Sequence, residues 1–429
     1  MSAGRISRRR LLKAAASAAA APWIVPASAI GGAGQRPPSD RIGMGHIGLG
    51  GRGGGIMPYF TRKGQSECIA VCDVWSDRGD RAKARMGGQC SVYGDFRELL
   101  ARDDIDAVVI ATPDHWHVLH SIAAMKAGKD VYCEKPLSLT VREGRALADC
   151  ARRYQQVFLH GTHQRSFWGF RHACELARNG YLGKLHTIRV CERGGRVDGI
   201  RRPEPVPPAL DYDMWLGPAP KIPYVRQPTS GGAWQFRSDY TIGWIAGCGV
   251  HPLDIAQWGG GTETTGPVEI EGEGVYPADG FNDTAVSWRV VMTYANGVRL
   301  IYTSTDKGLR YHEVGARFEG TEGWSFAYGN AFSADAHPKS LMKLKLRPTE
   351  LHLRRSDNHA THFLDCIRTR SRSIAPAEVA HRSTTLCHLS DIALRLRRRL
   401  RWDPGAERFL GDDEANRMLG GAMRVPWRL

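Results

Sequence analysis

A lysine directly after a strand-like run is the residue of this sequence with the clearest chemical use. Lys135 stands between Glu134 and Pro136, directly after the strand-like run Asp130 to Cys133. A side chain at such a strand end can take a hydroxyl proton while a hydride leaves the carbon that carries the hydroxyl. We predict this role for Lys135, an orienting role for Glu134, and a turn fixed by Pro136.

Histidine and aspartate side chains supply further candidates for acid and base chemistry. His251 and Asp254 are three positions apart in an apolar segment, so both fall on one face of a helix. We expect His251 to act on the substrate. Asp254 has two interpretations, because it can assist His251 or pair within the fold. His163, after another apolar run, is a further catalytic candidate.

A third group follows the apolar run Ala107 to Ala111, where Thr112, Pro113, His115 and His117 come together. We expect these four residues beside a bound cofactor, although a single histidine is more often a hydrogen-bonded structural residue. Four other histidines follow no recognised metal-ligand spacing, and we predict no metal site. These are His359, His362, His381 and His388.

The glycine-rich stretch Arg41 to Gly55 matches the dinucleotide-binding pattern G-x-G-x-x-G in two registers. The first register, at Gly43, Gly45 and Gly48, follows a proline-containing segment that cannot be a central strand. The second register has a strand-like run before it and a helical segment after it, as dinucleotide binding requires. We therefore predict that the second register binds the cofactor.

Each glycine of the second register has a separate task. Gly48 makes the tight turn, Gly50 lets the pyrophosphate approach the backbone, and Gly53 lets helix and strand pack closely. Asp73 ends the next strand-like run, twenty residues after Gly53, where a carboxylate can bind the adenosine ribose. Such a carboxylate repels a 2′-phosphate and favours NAD, whereas the nearby Arg78 leaves NADP open.

Strand-like and helix-like segments alternate between residues 41 and 161, which predicts a doubly wound parallel sheet with functional residues at its carboxyl edge. Beyond residue 162 the pattern changes to alternating strands, with a hairpin turn at Asn296-Gly297. The predicted helices of the first part are Arg78–Met86, Phe96–Ala101, His117–Ala127 and Thr140–Tyr154.

A proline-rich excursion runs from Arg201 to Gly232. We interpret it as part of an active site or of a subunit contact, because long irregular loops in compact domains are often functional. Trp215 and the nearby Trp234 can stack on a sugar face or pack internally.

Residues 1–29 are predicted to be a bacterial export signal. Basic residues near the start precede an alanine-rich apolar stretch, and Ala27-Ser28-Ala29 matches a small-residue cleavage site. The segment Ser7 to Lys13 resembles the twin-arginine signal, which exports folded proteins. We therefore expect a periplasmic protein with a linker over residues 30–40. We expect no membrane anchor, since the apolar stretch is short and interrupted by prolines.

The formal net charge of +15 at pH 7 could attract an anionic polysaccharide or nucleic acid. We predict no nucleic-acid binding, because the sharpest basic run, Arg395 to Arg401, lacks the interleaved aromatic residues of a stacking surface. We interpret that run as a solvated helix face. The ten cysteines contain no C-x-x-C pair, and those in strand-like runs, such as Cys72 and Cys133, are interpreted as small buried thiols.

Several of these motifs together resemble the glucose–fructose oxidoreductase / inositol dehydrogenase / MocA family, in its secreted bacterial branch. The likeness rests on the loop Gly48 to Gly53, on ATPDHWH from Ala111 to His117, and above all on EKP at Glu134 to Pro136. It covers essentially the whole chain after the N-terminal segment. Further matching segments are GTHQRS at Gly161 to Ser166, DMWLGPAP at Asp213 to Pro220, GVHPLDIAQW at Gly249 to Trp258 and FLDCIRTR at Phe363 to Arg370.

The resemblance implies an α/β fold with two domains. A nicotinamide-binding, doubly wound Rossmann domain is expected over residues 41–161. A C-terminal α/β domain with a large, open, mostly antiparallel sheet is expected over residues 162–429. We expect the helices from about residue 358 to pack back on the first domain, and the open sheet to join copies of the chain in a homo-oligomer.

The resemblance also bears on single residues. In the family the lysine of EKP is associated with proton transfer, and the peptide before its proline is often cis. Many relatives carry an aspartate four positions before the substrate histidine, on the same helix. Gly247 occupies that position here, which removes the usual acidic partner of His251 and puts ordinary polyol oxidation in question.

Two enzymatic functions are compatible with these residues. The first is hydride transfer between NAD or NADP, tightly bound, and a hydroxyl of a small carbohydrate. The second is redox-neutral hydrolysis of a glycoside by oxidation, elimination, hydration and reduction. Export favours a tightly bound cofactor in both cases, because free NAD is scarce outside the cytoplasm. A non-catalytic sugar-binding relative would keep the glycines without needing Lys135.

Overall fold

The computed structural model describes residues 40–62, 64–226, 233–305, 314–328 and 333–429. The predicted export signal and the predicted linker, apart from residue 40, lie outside these ranges, as does the end of the proline-rich excursion. Within these ranges no helix combines the length and the apolar character needed to cross a membrane.

Six parallel strands form the first sheet, in the spatial order β3-β2-β1-β4-β5-β6. They are β1 (Ile42–Ile47), β2 (Ser66–Cys72), β3 (Ser91–Tyr93), β4 (Ala107–Ile110), β5 (Asp130–Cys133) and β6 (Phe158–His160). Every residue of β1, β4 and β5 is buried, as expected for parallel strands covered on both faces. The strand order reverses between β1 and β4, and ligands bind at the carboxyl edge beside such a switch point.

Helices follow the strands of this sheet, and the predicted helices are confirmed with one correction. They are α1 (Gly51–Phe60), α2 (Ser76–Arg85), α3 (Phe96–Leu100), α4 (Asp114–Lys126) and α5 (Val141–Tyr154). Helix α4 begins at Asp114, three residues before its predicted start. Pro113 has extended backbone with ψ of 156° and occupies the cap position, where its missing amide hydrogen costs nothing.

The second sheet has nine strands among the described residues, in the order β13-β12-β11-β7-β10-β9-β8-β14-β15. Strands β7 and β10 pair in parallel, and the other neighbours pair antiparallel. Gly297, with φ of 81°, forms the predicted hairpin turn before β10. The strands are β7 (Leu185–Arg193), β8 (Glu269–Val275), β9 (Ser287–Thr293), β10 (Arg299–Thr305), β11 (Gly315–Gly320), β12 (Trp324–Tyr328), β13 (Ser333–His337), β14 (Leu400–Asp403) and β15 (Arg408–Phe409).

Helices α6, α9 and α11 contact the strands of this second sheet, so the predicted α/β fold class is confirmed. Helix α11 also packs against α5, and α10 against α1, which brings the end of the chain onto the first domain. The helices of the second part are α6 (Trp168–Arg178), α7 (Tyr212–Leu216), α8 (Trp244–Gly247), α9 (Val250–Gly260), α10 (His359–Thr369), α11 (Ala377–Leu396) and α12 (Asp413–Arg417).

The basic run near the C-terminus is not one solvated helix face, which corrects that interpretation. Helix α11 ends at Leu396, Arg397 adopts a φ of 51°, and the chain continues into β14. Acidic partners neutralise three of its arginines. These pairs are Arg395 with Asp391, Arg398 with Asp412 and Arg399 with Glu271.

Cys72 and Cys133 are buried in their strands as predicted.

Candidate active site

A cavity of about 790 Å³ opens at the carboxyl edge of the first sheet. The fingerprint loop, Thr112 and Pro113 after β4, and Glu134 to Pro136 after β5 contribute to its wall. Trp215 and Trp234 contribute from the second domain. Because both domains line the cavity, it can hold a cofactor and a substrate against one another.

The second glycine register forms a tight turn between β1 and α1. Gly48 has a φ of 87°, and a Cβ added to it would lie 2.8 Å from the backbone of Ala111 and Thr112. A Cβ on Gly53 would lie 1.9 Å from the carbonyl oxygen of Gly48, so only glycine lets the helix pack this closely. Gly50 lines the cavity at the start of α1.

The first register has a different position. Gly43 and Gly45 lie inside strand β1, where an added Cβ would lie 2.2 Å from the carbonyl oxygen of Asp104 or 2.8 Å from a methyl group of Leu99. These glycines serve strand packing. The amide groups that can receive a phosphate at the N-terminus of a helix therefore belong to the second register.

Asp73 follows β2, lines the cavity and holds the fingerprint loop. Its Oδ2 accepts the amide hydrogen of Leu49 at 2.7 Å, and its Oδ1 accepts that of Trp75 at 2.9 Å. Burial raises the pKa of Asp73 against the opposing charge of Arg78, whose Nη1 is 3.9 Å away. The carboxylate thus stands where the fold places an adenosine ribose, with an arginine beside it.

Lys135 connects the two domains across the cavity. Its Nζ donates to the carbonyl oxygen of Gly247 at 2.6 Å, and the peptide between Lys135 and Pro136 is cis. A Cβ on Gly247 would meet Trp244 at an ordinary 3.5 Å, so the surroundings do not require glycine. Lys135 thus bonds to a backbone oxygen of the residue at which the family resemblance implies an aspartate.

Glu134 is a buried anion that fixes the strand end before Lys135. Its Oε1 accepts hydrogen bonds from Arg52 Nε at 2.7 Å and from the hydroxyl of Tyr132 at 3.1 Å. Burial opposes its ionisation, but the positive charges of Arg52 and Lys135 outweigh burial and lower the pKa of Glu134. Arg52 is in the first turn of α1, so this contact ties the fingerprint helix to the lysine.

His163 and His251 form an edge-to-face pair with ring centroids 5.1 Å apart. Burial lowers the pKa of both imidazoles, and the charge of Lys135 adds to that shift. Burial and the nearby positive charges thus disfavour the protonated form of both rings. Neither contributes to the cavity wall itself, so they stand behind it.

The expected single helix through residues 247 and 251 is wrong. Helix α8 ends at Gly247 and α9 begins at Val250. A Cβ on Gly249 would lie 1.8 Å from the hydroxyl of Tyr302, so glycine permits close packing at this break.

Of the two roles predicted for Asp254, assisting His251 or pairing within the fold, the structure supports the pairing. Its prediction as a catalytic residue is therefore corrected. It is fully buried, and its two oxygens accept hydrogen bonds from Arg165 at 2.6 and 2.8 Å. The hydroxyl of Ser383 donates to it at 2.7 Å. With both oxygens bound, Asp254 cannot reach a substrate.

His115 and His117 also need correction, because neither contributes to the cavity wall. His115 Nε2 lies 3.1 Å from the carbonyl oxygen of Trp215. The ring nitrogens of His117 lie 2.6 Å from the carbonyl oxygen of Pro136 and 2.9 Å from that of Thr112. The two histidines hold the loops that carry the site and do not contact a ligand in the cavity.

Several residues of the cavity wall were not predicted from the sequence, among them Arg52, Asp114, Thr241 and Cys248. Arg52 could have been found as the charged residue in the first turn of the fingerprint helix. Asp114 is inside the segment ATPDHWH, of which the histidines and not the aspartate were selected from the sequence. No sequence pattern indicates that Thr241 and Cys248 belong to the cavity wall.

Residues 207–217, which we call the strap, cross from the second domain to the loop after β2. The amide of Asp211 donates to the carbonyl oxygen of Val74 and the amide of Ser76 donates to that of Ala209, both at 3.0 Å. Several strap side chains line the cavity, so the strap covers part of it. These are Pro207, Leu210, Tyr212, Met214 and Trp215.

The C-terminal segment holds the strap from outside. Arg424 donates to the carboxylate of Asp213 at 2.7 Å and to the carbonyl oxygen of Gly217 at 2.9 Å. Trp427 packs edge-to-face on Trp116 with ring centroids 4.7 Å apart. The end of the chain thus stabilises the cover of the cavity.

Comparison with known families agrees with this geometry. The family described as "Oxidoreductase family, NAD-binding Rossmann fold" matches residues 42–162, and "Oxidoreductase family, C-terminal alpha/beta domain" matches residues 196–429. The chain belongs to the glucose–fructose oxidoreductase / inositol dehydrogenase / MocA family.

Relatives of known name match part of the chain. A glycosyl hydrolase family 109 protein of Shewanella sp. (strain W3-18-1) is 40% identical over 128 residues, 28% of each chain. Myo-inositol 2-dehydrogenase of Thermotoga maritima is 32% identical over 143 residues, 33% of this chain and 40% of the relative. The match therefore spans less than half the length of these relatives.

A solved structure extends the likeness of fold to both domains. The aldose-aldose oxidoreductase of Caulobacter crescentus, complexed with glycerol, aligns over 84% of this chain and 99% of its own. The TM-score is 0.62 at 19% sequence identity.

The residues present fit the NAD that this family's Rossmann domain binds. The glycines of the second register leave the backbone at the start of α1 open to a phosphate, and Asp73 stands at the ribose position. The first domain is therefore an NAD-binding Rossmann domain.

Proposed function

We propose that the protein transfers a hydride between tightly bound NAD and a hydroxyl-bearing carbon of a sugar or sugar derivative. The observation that carries the proposal is the position of Lys135, in the same cavity as Gly48, Gly50 and the aromatic wall of the second domain. Bound NAD supplies the acceptor for the hydride. Asp73 favours NAD, and NADP stays open because Arg78 is adjacent.

The residues of the cavity have separate roles in this reaction. Lys135 takes the hydroxyl proton, and its bond to Gly247 holds its amine at the domain boundary. Glu134 and Arg52 fix the strand end that carries the lysine. Trp215 and Trp234 present apolar faces suited to a sugar ring.

Redox-neutral hydrolysis of a glycoside is a second candidate. Oxidation of a ring hydroxyl acidifies the neighbouring C–H, and a base must then remove that proton before the aglycone leaves. His163 and His251 are the sequence candidates for that base, but both lie behind the cavity wall, and burial weakens them as bases by lowering their pKa values. The Shewanella relative is named as a glycosyl hydrolase, which supports this candidate within the matched segment.

Two variants test the first function and separate it from the second. Lys135→Met is expected to keep bound NAD and to lose turnover by roughly 10²- to 10⁴-fold, the contribution of a positioned acid or base. In a redox-neutral hydrolase, His251→Ala would still reduce the cofactor when a glycoside is added but would release no aglycone. In a plain oxidoreductase, His251→Ala merely slows sugar oxidation.

His186→Ala is the matched control, because His186 is exposed on β7. The measurements are NAD content, the absorbance of reduced nicotinamide, and free aglycone without an added electron acceptor. Full activity of Lys135→Met would contradict the role of Lys135 in both functions, and a wild type without any turnover would leave the non-catalytic sugar-binding relative.

Export to the periplasm by the twin-arginine route is part of the proposal, because NAD bound during folding would travel with the protein. Arg8→Lys combined with Arg9→Lys preserves charge but is expected to keep the precursor in the cytoplasm, since a receptor reads the signal. Cell fractionation measures this, and normal export of the double variant would remove the assignment.

A homo-oligomer formed through the second sheet is also proposed. Trp324, Phe326 and Tyr328 alternate on β12 and are only partly buried, which leaves apolar surface for a second copy. Light scattering of the purified protein measures the oligomer, and Phe326→Glu should shift it toward monomer.

A further inference from the structure

Asp114 is a buried carboxylate in the wall of the cavity that also contains Lys135. It begins helix α4 after the switch point of the first sheet and is 4% exposed. Its Oδ2 accepts a hydrogen bond from the hydroxyl of Thr241 at 2.6 Å. Thr241 belongs to the second domain and is itself buried, so the two domains fix this carboxylate together.

The other carboxylates of the wall are occupied. Asp73 binds two backbone amides that shape the fingerprint loop, and Glu134 binds Arg52 directly. Asp114 has no arginine or lysine within ion-pair distance among the residues that the structure describes. Its charge interacts with those of His117 and Lys135, and both of these residues flank the site.

We propose that Asp114 is a positioning residue that acts through Lys135, by balancing the positive charge that the lysine gains when it takes the substrate proton. This inference rests on the proposed function of Lys135. The hydroxyl O–H bond breaks, an N–H bond forms at Nζ, and the hydride of the same carbon leaves to the nicotinamide. Asp114 keeps its negative charge and forms no covalent bond.

The surroundings of Asp114 set the pH range in which this works. Burial raises the pKa of Asp114 to about 6, while the charges of His117 and Lys135 and the hydroxyl of Thr241 oppose that rise. Cys133 on β5 also faces it. The carboxyl is ionised above that pKa, so kcat/KM should fall as the pH decreases through about 6.

The test compares Asp114→Asn with the wild type, with Lys135→Met and with Asp77→Asn. Asp77 is a matched control, because it is also an acid in the first turn of a helix but is exposed and outside the cavity. Asp114→Asn is expected to lower kcat/KM for the sugar by roughly 100-fold and to remove the acidic limb of its pH profile. NAD content should not change.

The melting temperature of Asp114→Asn, compared with that of the wild type, distinguishes a loss of charge balance from a loss of structure. An acid whose pKa is raised by folding destabilises the fold above that pKa, so Asp114→Asn should raise the melting temperature at pH 8. Thr241→Val is a second variant that retains the charge. Loss of its hydroxyl removes a bond that favours the carboxylate, so the acidic limb should move to higher pH.

The outcomes separate the two proposals. An unchanged limb and rate in Asp114→Asn, with Lys135→Met inactive, would overturn the role of Asp114 alone. Activity in Lys135→Met would overturn the proposed function, and the role of Asp114 with it. Loss of NAD together with a lower melting temperature in Asp114→Asn would also overturn the inference, because that result describes a structural residue.

Discussion

At Gly50 the absence of a side chain matters for what can approach the backbone and not for the backbone conformation. Its φ is −61° with extended ψ, which valine also adopts, and an added Cβ would meet Arg78 at 3.4 Å. Gly50→Val should therefore fold and lose bound NAD, because the side chain occupies the path of the pyrophosphate. Absorbance of released nucleotide measures the NAD content.

Gly55→Val is the control for this prediction. Gly55 is in the helix that Gly50 precedes, and an added Cβ meets nothing within 4 Å, so this variant introduces the same side chain nearby without touching the cavity. If both variants keep full NAD, the second glycine register does not bind the cofactor.

Single residues were predictable where local spacing is itself the signal. Gly48, Gly53 and Lys135 follow strands at fixed positions, and the strands could be predicted from apolar runs. The role of Asp254 was not predictable, because its partner Arg165 is 89 residues away in the sequence. The local sequence around a helical carboxylate does not indicate which distant cation it will pair with.

Between elements, the pair of Arg165 and Asp254 joins α9 to the short turn that carries His163. Both side chains are almost fully buried. Asp254→Asn should lower the free energy of unfolding by about 3 kcal/mol, because it leaves a buried guanidinium incompletely paired. Urea unfolding measures the change.

Asp149→Asn is the comparison variant, because Asp149 pairs with arginines on the exposed side of α5. An exposed pair contributes less than about 1 kcal/mol. Lost activity with unchanged stability in Asp254→Asn would restore the direct catalytic role that the geometry denies it.

Elements were predictable in type and order, and less so at their ends. Helix α4 begins earlier than predicted because its first residues, from Asp114 to His117, are polar or aromatic yet buried. The break between α8 and α9 depends on Tyr302 of a distant strand, which contacts Gly249. Such ends are set by tertiary packing, and apolar periodicity does not report them.

Over the whole molecule, the two domains and the end of the chain enclose the cavity together. The strap contacts the loop after β2 through backbone hydrogen bonds. Because almost any residue can form such bonds, no residue pattern predicts them. Arg424, only five residues before the C-terminus, contacts Asp213 and Gly217 in the strap. The cover of the cavity is thus a property of the assembled fold.

Arg424→Met should therefore release NAD faster without altering the residues that bind it. Loss of a charge-assisted contact worth about 1.5 kcal/mol corresponds to a roughly tenfold faster dissociation. The measurement follows bound NAD during dilution into a scavenging enzyme. Arg428→Met removes an exposed arginine of the same segment and should leave the rate unchanged. Equal rates in Arg424→Met and the wild type would mean that the strap covers the cavity without retaining its cofactor.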